Sequence, residues 1–109
     1  MIQSKKVKNY YQQKVIHNDN NLEGFLRQVG KTFLGEVIHE DIFKKIIKSI
    51  EINLDLNKND NIIDMGCANG LLTASIANSV NHIYGYDLSN DLITVAKDFH
   101  QRPNISYFV

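Results

Sequence analysis

Apolar residues in the first half of the chain recur at helical spacing, and in the second half they gather into short runs separated by turns. From Ser4 to Ile16, Val7, Tyr10, Tyr11 and Val15 share one face and predict an amphipathic helix. The polar cluster from His17 to Asn21 interrupts it. Leu22, Phe25, Leu26 and Val29 predict a second, shorter helix closed by Gly30. Residues 31–38 carry no clear period. Ile42, Phe43, Ile46, Ile47 and Ile50 mark a third helix, with Glu40 and Asp41 in its first turn and lysines further on, an order that suits the helix dipole.

After Leu56 the pattern changes. Asn57 to Asp60 reads as a turn, Asn61 to Met65 as a short strand, and Gly66 to Gly70 as a tight loop. Leu71 to Val80 predicts a helix with Leu72, Ile76 and Val80 inward. His82 to Tyr86 is a second strand ending at Asp87. Ser89 is placed to cap a helix whose inner face is Leu92, Val95, Ala96 and Phe99, and which Pro103 ends. Ile105 to Val109 begins a third strand. Strand–helix alternation with short links predicts an α/β fold with a parallel sheet and ligands at the carboxyl ends of its strands. Residues 1–56 form an N-terminal helical segment in this reading, a lid and pre-strand helix, and residues 57–109 the first strands of the sheet. Parallel sheets are normally covered, so Ile105, Tyr107 and Val109 are expected to await further packing, and the domain to be truncated after Val109.

Composition narrows the class without naming it. The 109 residues are 43% apolar and 22% charged, as in soluble globular domains. Twelve basic residues balance twelve acidic ones, which removes the electrostatic footprint of a nucleic-acid or anionic-membrane binder from this portion. Cys67 is the single cysteine, which excludes an internal disulfide and points to a cytoplasmic chain. No apolar run approaches the length of about 18 residues that a membrane span requires. His17, His39, His82 and His100 have no metal-ligand spacing, so no metal is expected.

The chemistry sits in Ile62-Ile63-Asp64-Met65-Gly66-Cys67-Ala68-Asn69-Gly70. A strand ends in an acid, and a glycine-rich loop then enters a helix. Glycine permits positive φ and close ligand approach, and the helix start behind the loop offers backbone N–H donors. Asp87, closing the second strand, is placed to accept both hydroxyls of a ribose, without saying of which cofactor. A nicotinamide dinucleotide loop would need glycines at 66, 68 and 71, and only Gly66 fits; no P-loop Gly-Lys-Ser/Thr occurs. Cys67 has no adjoining histidine and reads as a small loop residue, not a nucleophile.

Residues 62–70 resemble motif I of class I S-adenosylmethionine (SAM)-dependent methyltransferases, an apolar strand followed by D/E-x-G-x-G-x-G. Gly85-Tyr86-Asp87 is similar to that family's acidic second-strand terminus, and Asp87 to Leu92 to its D-x-S-x-x-[ML] turn. The resemblance implies a Rossmann-like fold and SAM as cofactor. It also implies that Asp64, Gly66 and Gly70 line the amino-acid end of SAM and that Asp87 holds its ribose. Cys67, Ala68 and Leu88 complete the cofactor-binding set. Ala68 replaces the family's middle glycine and adds a Cβ where backbone and ligand meet. N-terminal tyrosines close over SAM in several such subfamilies, which gives Tyr10 and Tyr11 a candidate role. The expected activity is methyl transfer from SAM to an unidentified acceptor. The residues that aim the acceptor usually follow the fourth strand, so catalytic residues are unknown and the chain alone is expected to be inactive. A non-catalytic SAM-binding or interaction module is the alternative.

Overall fold

The computed structural model describes residues 20–109. The helix expected over Ser4–Ile16, with Tyr10 and Tyr11, lies outside them. Helix α1 spans Leu22–Gln28 and begins because the Asn21 side chain accepts the Gly24 N–H at 2.8 Å. The unreadable stretch that follows is a hairpin of two two-residue strands, β1 (Thr32–Phe33) and β2 (Glu36–Val37), paired antiparallel. Its loop residues Leu34 and Gly35 both have positive φ, 52° and 82°, as a two-residue hairpin turn of primed type requires. Helix α2 spans Glu40–Asn53, with the His39 ring accepting the Asp41 N–H at 3.1 Å. Phe43 is its buried anchor, whereas Ile42, expected on the same face, is half in solvent.

The parallel sheet is as expected. Strands β3 (Asn61–Met65), β4 (His82–Tyr86) and β5 (Ile105–Phe108) pair in that order, Ile62 opposite Ile83 and Ile83 opposite Ile105. Helix α3 (Leu71–Ile76) links the first pair and α4 (Asn90–Phe99) the second. Both crossovers step the chain in one direction across the sheet, so crossovers of one hand put both helices on one face. There Ile83, fully buried, and Ile105 meet Ala74, Ile76 and Ala77 from the α3 side and Ile93 and Ala96 from α4. Burying a side chain such as Ile83 contributes about 1.5–3 kcal/mol.

Three expectations need correction. Helix α3 ends at Ile76 and tightens into a 3-10 turn over Ala77–Ser79, so its inward residues are Thr73, Ala74, Ile76 and Ala77, while Leu72 is only half-buried. Helix α4 ends at Phe99, where the chain leaves helical period. His100 takes the inner place and Phe99 stays 46% exposed against Phe25. Ile105 and Tyr107 do not await packing, because the α3–α4 layer already buries them, whereas Val109 is exposed. The uncovered surface is the opposite face of the sheet, where Ile63, Met65, Tyr84 and Phe108 are exposed.

Candidate functional site

At the carboxyl end of β3 the loop Gly66–Gly70 bounds a cavity of about 190 Å³. Asp64, Gly66, Cys67, Ala68 and Asn69 form one wall; Leu71 and Leu72 of α3 adjoin, and Val29, Lys31 and Phe43 come from the N-terminal elements. The volume is below the range of about 300–1,000 Å³ usual for whole small-molecule sites. It suits one end of a ligand.

Asp64 is half-buried, and one carboxylate oxygen accepts the Thr73 hydroxyl at 2.7 Å, which fixes the side chain at the strand's mouth. Gly66 has φ +79°, and a Cβ built on it meets nothing within 4 Å. Its glycine therefore serves the backbone turn and leaves the approach to the loop open. Ala68 adopts φ +52°, the left-handed region that an L-residue enters at a cost of about 1–2 kcal/mol. The Cys67 thiol is pushed up to about 12, first by burial and then by the carboxylates of Asp64 and Asp87. It stays protonated and packs, as its sequence context suggests.

Four of the loop's five backbone N–H groups, those of Gly66, Cys67, Ala68 and Gly70, and that of Leu71 are engaged by the protein itself. Gly66 and Cys67 donate to the Tyr86 carbonyl at 2.7 and 3.0 Å, and Gly70 donates to the Cys67 carbonyl at 3.1 Å. Ala68 donates to Asp87 Oδ2 at 2.9 Å, and the Asn69 side chain accepts the Leu71 N–H at 3.1 Å. Asp87 also accepts the Ser89 N–H at 2.9 Å, so its carboxylate ties the loop to the start of α4. Each oxygen keeps a second lone pair. Ser89 caps α4 as expected, accepting the Leu92 N–H at 3.2 Å.

Of the residues singled out from the sequence, Asp64, Gly66, Cys67 and Ala68 line the cavity. Gly70, Asp87 and Leu88 do not. Gly70 instead faces the protein: a Cβ there would stand 2.9 Å from the Ala96 Cβ, so its glycine serves helix–sheet packing. Lys31 and Asn69 were missed. Asn69 occupies a variable place in the loop pattern, and Lys31 lies in the stretch without period. Lys31 and Asp64 give the cavity one cation and one anion, and no ion pair among the described residues uses Lys31.

Residues 63–109 match the family model described as a methyltransferase domain. The chain is 39% identical over 70 residues to the mitochondrial ubiquinone biosynthesis O-methyltransferase of Saccharomyces cerevisiae, covering 62% of this chain and 22% of that protein. It is 35% identical over 65 residues to a probable cobalt-precorrin-6B C(15)-methyltransferase of Methanocaldococcus jannaschii, covering 59% of this chain and 36% of that one. Among solved structures, a SAM-dependent methyltransferase from Anabaena variabilis superposes with a TM-score of 0.58 at 16% identity, over 94% of this chain and 36% of that one. These matches make the chain similar to methyltransferases over its second half, and the parallel sheet with the structural match shows a Rossmann-like fold. The chain spans between 21% and 36% of the length of the curated relatives it matches.

Proposed function

We propose that this chain supplies the SAM-binding part of a methyltransferase, and that the cavity beside the Gly66–Gly70 loop receives the amino-acid end of the cofactor. The observation that carries the reading is the pairing of Asp64 with Lys31 on one small cavity. An α-amino acid is a zwitterion. Asp64 suits its ammonium, Lys31 its carboxylate, and Gly66 leaves open the side from which the rest of the molecule would extend. Asp87, with its spare lone pairs, and Leu88 lie outside the cavity on the route toward α4, and we assign them to the ribose. When bound, SAM supplies a methyl group on a sulfonium. The chain's own part is to orient that group and hold Asp64 in place through Thr73.

Methyl acceptor and catalytic residues are assigned to further segments of a longer protein. The bare sheet face and the small share of each relative that the chain spans support this. A buried free thiol fits a reducing compartment such as the cytoplasm; no helix among the described residues is long and apolar enough to cross a membrane. The reading is tested by calorimetry with S-adenosylhomocysteine and NADH. Binding of the former, weakened about tenfold or more in Asp64→Asn by loss of a charge-assisted contact, is expected. Binding of NADH with no response to S-adenosylhomocysteine would overturn it.

A further inference from the structure

Asn69 is 1% exposed and bonds to three separate parts of the fold. Its Nδ2 donates to the Phe25 carbonyl at 2.9 Å and to Gln28 Oε1 at 3.1 Å, both on α1. Its Oδ1 accepts the Leu71 N–H at the start of α3. Its carbonyl lies 2.7 Å from His100 Nδ1 at the end of α4, and since a carbonyl only accepts, that nitrogen carries the proton. A simple cap for α3 would need only the Leu71 bond.

The two bonds to α1 bear on the cavity. Gln28 is the last residue of α1 and has no exposed surface, and its Nε2 finds no partner among the described residues. A buried amide left half-satisfied is unfavourable for packing alone. Its one bond goes to the cofactor loop. The chain from Gln28 onward is then fixed, because the Gly30 N–H donates to the Arg27 carbonyl and the Lys31 N–H to the Leu26 carbonyl at 2.9 Å. Val29 and Lys31 therefore reach the cavity wherever the end of α1 docks.

We propose that Asn69 is a positioning residue that locks helix α1 onto the cofactor loop and so holds Lys31 against the carboxylate of the bound amino-acid end. The proposal rests on the SAM reading and refines it, since it makes the N-terminal helix part of the amino-acid subsite and leaves the nucleoside end independent of it.

Two ligands separate this role from general stabilisation. S-adenosylhomocysteine carries the amino-acid end; 5′-methylthioadenosine is the same nucleoside thioether without it. In the full-length protein, Asn69→Ser keeps a short acceptor for Leu71 but cannot reach α1. It is expected to weaken S-adenosylhomocysteine about tenfold, the loss of one charge-assisted contact, and to leave methylthioadenosine unchanged. Lys31→Met should show the same selective loss, and the double variant should lose no more than either alone, as for residues acting through one contact. Gln28→Met, which keeps the buried volume, serves as a second variant and should reproduce the selectivity more weakly. Equal weakening of both ligands, or additive losses in the double variant, would overturn the proposal while leaving the cofactor reading intact. Wild-type protein that binds neither ligand would overturn both.

Discussion

A Cβ on Gly70 would stand 2.5 Å from the hydroxyl oxygen of Tyr107. The same hydroxyl donates to the His100 carbonyl at 2.8 Å, so it has little freedom to withdraw. Gly70 also has φ +77°. Overpacking and a left-handed alanine each cost about 1–3 kcal/mol, so Gly70→Ala should lower the free energy of unfolding by about 2–6 kcal/mol, read as a lower urea midpoint. Adding Tyr107→Phe should recover part of that loss. The hydroxyl contact disappears, but the ring carbon at 2.9 Å remains. A Gly70→Ala protein as stable as wild type would refute the packing role.

Ala68→Gly works in the opposite direction. Ala68 sits at φ +52°, where glycine is unstrained, and relief of about 1–2 kcal/mol is offset by the extra freedom glycine gives the unfolded chain, about 0.4–1 kcal/mol. The net expectation is a small gain in stability. Affinity for S-adenosylhomocysteine should rise as well, since the removed Cβ belongs to a residue lining the cavity. Thermal unfolding and calorimetry check the two effects separately, and a loss of affinity would count against the cavity as the binding site.

The strand–loop–helix core of this site was legible because its signals are local. The apolar run 61–65, the acid Asp64, the glycine loop and the cap Ser89 each carry their cause within a few residues. The hairpin was not legible. Two-residue strands leave no period, and the turn uses Leu34 at positive φ where Asn or Gly would advertise it. Lys31 reaches the cavity only through the tertiary docking of α1, for which no sequence period exists. Phe99 was misread because it is the last residue of α4, where the chain turns out of the helix; the inward residue is His100, just beyond the helix end. Asp87 was read as a ligand residue at the strand's mouth, whereas its present partners are the backbone amides of Ala68 and Ser89.

Those two amides change what Asp87→Ala should do. Losing the carboxylate leaves both N–H groups without their acceptor, and charge-assisted bonds of this kind contribute about 1.5–3 kcal/mol. The variant should lose both stability and affinity for S-adenosylhomocysteine. Asp87→Asn, which keeps one acceptor oxygen, should be intermediate in both. Unchanged unfolding in Asp87→Ala would show that the loop does not depend on this carboxylate.

His100 makes stability depend on pH. Burial pushes its pKa below the ordinary 6.5, and Arg102 pushes the same way, while the bond to the Asn69 carbonyl partly opposes them. The unfolded chain therefore binds a proton near 6.5 and the folded chain resists it. Where the unfolded state binds more protons, stability rises with pH. The contribution is complete above 6.5, declines as the pH falls below that value, and levels off once the folded-state pKa has been passed. Urea titrations from pH 7.5 downward should show this decline, and His100→Gln should flatten it. A slope that persists unchanged in the variant would assign it to another group.

The bare face of the sheet sets the solution behaviour of the 109-residue chain. Ile63 is 65% exposed, Met65 71% and Phe108 42%, and they stand on the outer strands β3 and β5 with Tyr84 and Tyr86 of β4 between them. Exposed apolar surface of this kind drives association until something covers it. Parallel strands are normally buried on both faces, and among the described residues one face alone carries a helical layer. The isolated chain should therefore self-associate with rising concentration, as measured by sedimentation velocity. Ile63→Thr combined with Met65→Thr should shift it toward monomer with little loss of stability, because threonine suits a strand and neither residue enters the core. Cover by additional chain should do the same without substitution. A wild-type 109-residue chain that stays monomeric across the concentration range would mean that this face needs no cover, and would remove the structural support for assigning the acceptor side to further segments.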